Sequence, residues 1–156
     1  MIKEFLKVRM GRSQRDAVVA MVIHDSSLLE EVFQCAFSGT DVQRMKGSWV
    51  LSGIHAENPL LLSEYRSAML RHLQIESVGG VKRELLRCFE RVAMKQDEVE
   101  QLIMIVMNWV TDEHQDFAVR YLCFRLLKPM IKKYPELQME LSQRIELYTA
   151  KFGRFP

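Results

Sequence analysis

Four histidines, three cysteines and one Gly-Gly pair are the residues of this chain with the most chemical potential, and their spacing excludes most of it. His24, His55, His72 and His114 show neither HxxxH nor HExxH spacing, and no CxxC exists, so no metal-ligand cluster is written in the sequence. His72 sits at the edge of a helical stripe and reads as a partly buried surface residue rather than a ligand or base. Gly79-Gly80 precedes a helical segment, and helix N-termini attract anions, but the surrounding GxxxxGKS/T or GxGxxG pattern is missing. It reads as a hinge. No GxSxG is present, and a lone cysteine with a distant histidine is not a dyad. No catalytic, cofactor-binding or metal-binding residue is therefore assigned.

Surface recognition is the remaining chemistry. Arg120, Arg125, Lys128, Lys132 and Lys133 follow one another along one helical segment and form a candidate basic patch. Lys128, Lys132 and Lys133 also lie toward the negative end of that helix, where cations are favoured for local reasons. Lys3, Lys7, Arg9, Arg12 and Arg15 load the first fifteen residues, opposed only by Glu4. With a formal net charge of +2 the molecule as a whole has no strong field, whereas a nucleic-acid domain shows a larger basic excess. Cys35, Cys88 and Cys123 are odd in number and far apart in apolar surroundings, which argues for a reducing compartment without disulfides. The N-terminus is too polar for a secretory signal, and no run approaches the ~20 apolar residues of a membrane helix. A cytoplasmic location without membrane contact is expected.

The elements that would carry these residues are helices. At 156 residues, with 48% hydrophobic residues and only 7 Gly and 4 Pro, the composition suits one mostly helical domain. Ile2 to Met10 predicts a short amphipathic helix ended by Gly11, with Ser13 capping the next. Thr40 or Asp41 caps a long helix that Asn58-Pro59 breaks, and Pro59 opens another with Leu62, Tyr65, Met69 and Leu73 in an inward stripe. Leu102 to Val110 is apolar nearly all round and predicts an internal helix. Phe117 to Ile131 is periodic, Tyr134-Pro135 breaks it, and a last helix carries Leu141, Ile145, Tyr148 and Phe152 to Gly153.

The plan repeats. Arg44, Arg83 and Arg120 each fall early in a first helix, 39 and 37 residues apart, and Arg44 to Pro59 equals Arg120 to Pro135 at fifteen residues. Helix pairs at about 13–38, 40–76, 78–112 and 114–152 then account for the chain behind the short helix 2–10. The early Asp and Arg of Asp41–Arg44 and Asp116–Arg120, the apolar stripe and the Pro opening the second helix resemble the HEAT and armadillo-like repeat family over residues 13 to 152. The third pair lacks the proline and the first is short. The resemblance implies an all-α, right-handed α-solenoid of about four helix pairs.

In such solenoids the second helices line one face. Here they bring Tyr65, Arg66, His72, Asn108, Trp109, Arg144 and Tyr148, a candidate interaction face of the residue types that anchor protein interfaces. The first functional reading is thus a non-catalytic protein–protein interaction module or scaffold. Phe152 and Phe155 near the C-terminus would also suit an end-to-end homodimer. The second reading is nucleic-acid binding. HEAT-like DNA-alkylation-repair glycosylases set Trp, an acid and Arg on a basic concave face, and Trp109 with Glu113 and Arg120 or Arg144 is similar in kind. The acid here is Glu and the net charge is low, both departures from that pattern.

Overall fold

Asp41–Glu57 begins with a reciprocal cap that follows from its first four residues. Thr40 Oγ1 accepts from the Gln43 backbone N–H at 3.3 Å, while the Gln43 side chain accepts from the Thr40 N–H at 3.0 Å. The computed structural model describes residues 2–7 and 9–155. Its helices are α1 (Ile2–Lys7), α2 (Arg12–His24), α3 (Leu29–Ser38), α4 (Asp41–Glu57), α5 (Arg66–Ile75), α6 (Gly79–Arg87), α7 (Gln96–Trp109), α8 (Phe117–Lys133) and α9 (Glu136–Phe152). No strand occurs among the described residues. The chain groups into two compact units, residues 1–92 and 93–156.

In the first unit α4 is the central element, packed against α2, α3 and α6. Small residues make this approach feasible. A Cβ on Gly47 would stand 2.8 Å from the Ala36 backbone nitrogen, and one on Gly53 would stand 2.7 Å from Val19 Cγ2. Val50, Leu51 and Ile54 of α4 are fully buried, with Val18 and Val22 of α2, Val32 and Ala36 of α3, and Val81, Leu85 and Leu86 of α6. Fully burying each Leu or Ile is worth roughly 1.5–3 kcal/mol, so this apolar block supplies most of the unit's cohesion. The short α1 buries Ile2 and Leu6 but leaves Phe5 half exposed. Glu31 of α3 caps α1 by accepting from the Ile2 and Lys3 backbone N–H groups.

Several local expectations shift. Gly11, not Ser13, precedes the first turn of α2, and its N–H donates to the Gln14 side chain at 2.9 Å. Asp25 caps the turn that follows, as the Asp25-Ser26-Ser27 sequence favours, accepting from Ser27 N–H at 3.1 Å. Pro59 opens a helix as expected, but its first stretch, Pro59–Tyr65, is a tighter 3-10 helix before α5 begins. The third helix pair, which lacks the proline, is joined differently. After α6 the chain turns through Cys88–Arg91, where Arg91 takes a left-handed φ of 56°.

In the second unit α7 packs against α8 and α8 against α9. Leu102 and Val106 of α7 and Cys123 and Leu127 of α8 are fully buried, with Leu137 and Leu141 of α9 also buried. The all-round apolar character of 102–110 does not make α7 internal. Met104 is 67% exposed and Asn108 is exposed one turn on, so one face of the helix is open. Pro135 separates α8 from α9, and Gly153 closes α9 at a left-handed φ of 84°. Pro129 lies inside α8 on its exposed side, where it gives up one intrahelical hydrogen bond.

Candidate functional site

The polar residues of the first unit converge inward on Glu76. Its carboxylate, with the side chain 2% exposed, accepts from Arg44 at 3.1–3.2 Å and meets His72 Nε2 at 2.8 Å. Arg44 also reaches Asp41 at 3.0 Å and the Gly39 carbonyl at 3.2 Å. The His72 ring stacks on Phe37 with centroids 4.6 Å apart. A second buried carboxylate, Glu84, accepts from Ser52 Oγ at 2.6 Å and from Arg87 at 2.8 Å. These are struts between α4, α5 and α6.

Two members of the anticipated interaction face are part of this interior. Arg66 is 4% exposed and donates to the Pro59 carbonyl at 3.0 Å, and His72 is buried on Glu76. Both offer a partner little surface. Tyr65 is half-buried, its ring stacked on Phe33 at 4.0 Å and its hydroxyl 3.5 Å from Glu30. Sequence periodicity placed all three on a second helix, but their orientation is set by non-local packing.

His55 shows how burial works on this interior. Its Nε2 lies 2.9 Å from the Glu90 carbonyl, and its Nδ1 has no hydrogen-bond partner. Burial holds its pKa below the usual imidazole range, the Glu90 carbonyl opposing and the Arg66 charge adding to the depression. The unfolded chain therefore takes up a proton near pH 6.5, before the folded one does. Stability contributed by the neutral ring is intact above pH 6.5 and is lost as pH falls through the folded value. We expect His55→Gln, whose amide can still donate to the Glu90 carbonyl, to flatten the decline in melting temperature between pH 7 and pH 5. A decline of unchanged slope would refute that role.

The cysteines offer no nucleophile. All three are buried and outside any disulfide, and burial pushes the Cys35 and Cys88 thiols up from their usual value, away from the reactive thiolate. A cavity of about 460 Å³ is lined by Lys3, Gln34, Cys35, Ser38, Gly39 and Gln43. No group of three or more His, Cys, Asp or Glu able to hold a metal occurs among the described residues. None of the described helices is long and apolar enough to cross a membrane.

In the second unit the Trp–acid–Arg grouping is engaged elsewhere. Glu113 pairs with Lys151 at 3.2 Å, Arg144 with Glu140 at 3.0 Å, and the half-buried Arg120 donates to the Tyr148 hydroxyl while lying 5.4 Å from that ring's centroid. Trp109 is half-buried and Asn108 exposed. Phe155, considered above for end-to-end pairing, folds back on Tyr148 and Phe124 with centroids 5.7 and 6.1 Å away. Phe152 packs on Tyr148 at 4.6 Å and stays 44% exposed.

The exposed side of α8 combines aromatic and cationic residues. Val119, Leu122, Cys123, Leu126, Leu127 and Met130 take one side of the helix into the core. On the other side Phe117, Tyr121, Arg125, Lys128 and Lys132 are all exposed and, at 3.6 residues per turn, share an arc of roughly 80°. Phe117 is 58% and Tyr121 53% exposed, and their rings lie 6.5 Å apart, tilted by 18°. The Arg125 guanidinium sits 5.9 Å from the Tyr121 ring and the Lys128 ammonium 5.2 Å from the Phe124 ring. Of the five anticipated basic-patch residues, Arg125, Lys128 and Lys132 share this row, Lys133 is exposed to one side, and Arg120 turns away to Tyr148. Phe117 and Tyr121 were not singled out from the sequence. Their spacing of four continues into Arg125, a signal masked because the same segment also carries the denser core stripe.

A family model of the HEAT repeat domain matches residues 2–153. No curated protein and no solved structure matches the chain.

Proposed function

Because the chain belongs to the HEAT repeat domain family, we propose that it is a non-catalytic protein-binding module and that it engages its partner through the outer face of α8. The observation that carries this reading is the contiguous row of Phe117, Tyr121 and Arg125, two half-exposed rings continued by a guanidinium. Single exposed apolar residues are ordinary on any surface. Adjacent aromatics beside an arginine are the composition of interface anchors, where a few such side chains carry most of the binding energy.

Replacing Phe117 and Tyr121 together by alanine tests it. Both rings are largely outside the core, so the melting temperature is expected to hold, within the ±0.5 kcal/mol usual for surface changes. Placing a photo-crosslinking amino acid at position 128, within the row, in the native host should capture a discrete partner. The double alanine variant should lose at least about 2 kcal/mol of affinity for that partner, or roughly 30-fold. Capture that is indifferent to both rings would place the interface elsewhere.

A further inference from the structure

We propose that the partner surface seated on α8 is an acidic protein segment bearing an apolar anchor, the apolar residue resting on Phe117 and Tyr121 and the carboxylates on Lys128 and Lys132. This rests on the reading of α8 as the interaction face. The first ground is charge. From Phe117 to Lys133 the helix contains Arg120, Arg125, Lys128, Lys132 and Lys133 and no Asp or Glu. Lys128 and Lys132 have no carboxylate partner among the described residues. Helix-dipole compensation accounts for Lys132, in the last turn, but the effect fades before Lys128.

The second ground is how the row is divided. The rings occupy its N-terminal end and the cations its C-terminal half, over about 22 Å at 1.5 Å per residue. A partner segment must then be divided in the same way, apolar at one end and negative at the other. Electrostatic complementarity of this kind sets orientation and speeds encounter, while the buried anchor supplies affinity.

The same division argues against a nucleic-acid strand. Single strands are held by aromatic rings that stack bases, set among cations that track the backbone. Here Tyr121 is flanked along the helix by the Phe117 ring on one side and the Arg125 guanidinium on the other, and Phe124 is covered by Lys128 and Phe155. The basic part, Arg125 to Lys132, is only about 10 Å long. Phosphate-driven affinity grows with the number of phosphates neutralised, and so short a track neutralises few.

The test is selection of a displayed random 16-residue peptide library on the full chain, with a labelled 16-nucleotide oligo(dT) titrated in parallel. Expected are peptides that combine Asp or Glu runs with one aromatic or large aliphatic residue. Their affinity should fall about 10-fold or more on Lys128→Glu with Lys132→Glu, fall less on Lys128→Gln with Lys132→Gln, and weaken as salt rises. The glutamine pair guards against an effect of placing acids near a helix C-terminus. If the Phe117→Ala, Tyr121→Ala variant loses the peptides but both lysine variants keep them, the acidic chemistry is wrong and the α8 interface stands. If neither pair of substitutions matters, both readings fail. Selected peptides without acidic enrichment, failure to select any, or oligo(dT) binding that the lysine reversals abolish would each overturn the inference.

Discussion

Replacing Glu76 by alanine is expected to destabilise the first unit by about 3–5 kcal/mol, the loss typical when one member of a buried ion pair is removed. The carboxylate is all but inaccessible and receives Arg44 from α4 and His72 from α5, so its removal orphans groups on two helices at once. Arg44 retains Asp41, whose side chain is well exposed and cannot replace a buried acceptor. Glu76→Gln should fall between, because an amide keeps the shape and one acceptor oxygen while losing the charge. Each unit contains one tryptophan, Trp49 in the first and Trp109 in the second. Urea unfolding followed by fluorescence of a Trp109→Phe variant, leaving Trp49 alone, would report on the first unit. A loss below about 1 kcal/mol would show that Glu76 is not its internal tie. Replacing Arg44, His72 and Glu76 together by leucine, methionine and leucine should recover much of the loss, since apolar packing can equal a buried ion pair.

That tie gives physical meaning to a pattern visible in the bare sequence. Arg44, Arg83 and Arg120 mark the repeat, and two of the three do equivalent work: Arg44 reaches Glu76 just beyond α5, and Arg120 reaches Tyr148 on α9. Arg83, in the pair without the proline, lies 3.7 Å from its own neighbour Glu84 and is more open. The helices themselves were legible because their boundaries are local chemistry. The Thr40–Gln43 cap, the breaks at Pro59 and Pro135 and the stop at Gly153 depend on residues within a few positions. The surface was much less legible. Arg66 and His72 are polar residues on a periodic helix, and period alone cannot say that each turns inward to an acceptor, the Pro59 carbonyl for one and the buried Glu76 for the other. In α7 the opposite occurs: Met104 belongs to an apolar run yet faces out. Both outcomes are decided by which neighbouring helix covers which arc, a property of the packed units and not of any window of sequence.

Replacing Gly47 by valine is expected to cost about 3 kcal/mol, at the upper end of overpacking penalties, and its cause can be separated from helix propensity. Any residue other than glycine or proline is intrinsically better in the middle of a helix, by up to roughly 1 kcal/mol for alanine. On an open helix surface the change would therefore help. At Gly47, however, a Cβ would meet the Ala36 backbone nitrogen at 2.8 Å and its Cα at 2.9 Å, and backbone cannot rotate aside. At Gly53 the nearest atom is the Cγ2 methyl at the end of the Val19 side chain, at 2.7 Å, which a small shift of that side chain can relieve. Gly47→Ala should thus be clearly more damaging than Gly53→Ala, although both sit on α4 and both gain the same propensity. Ala36→Gly should fail to rescue Gly47→Ala, because the obstruction is main chain and survives removal of the Ala36 methyl. Equal urea midpoints for the two alanine variants, or rescue by Ala36→Gly, would mean that α3 can retreat from α4. The close crossing of those helices would then be a consequence of the glycine and not a condition of the fold.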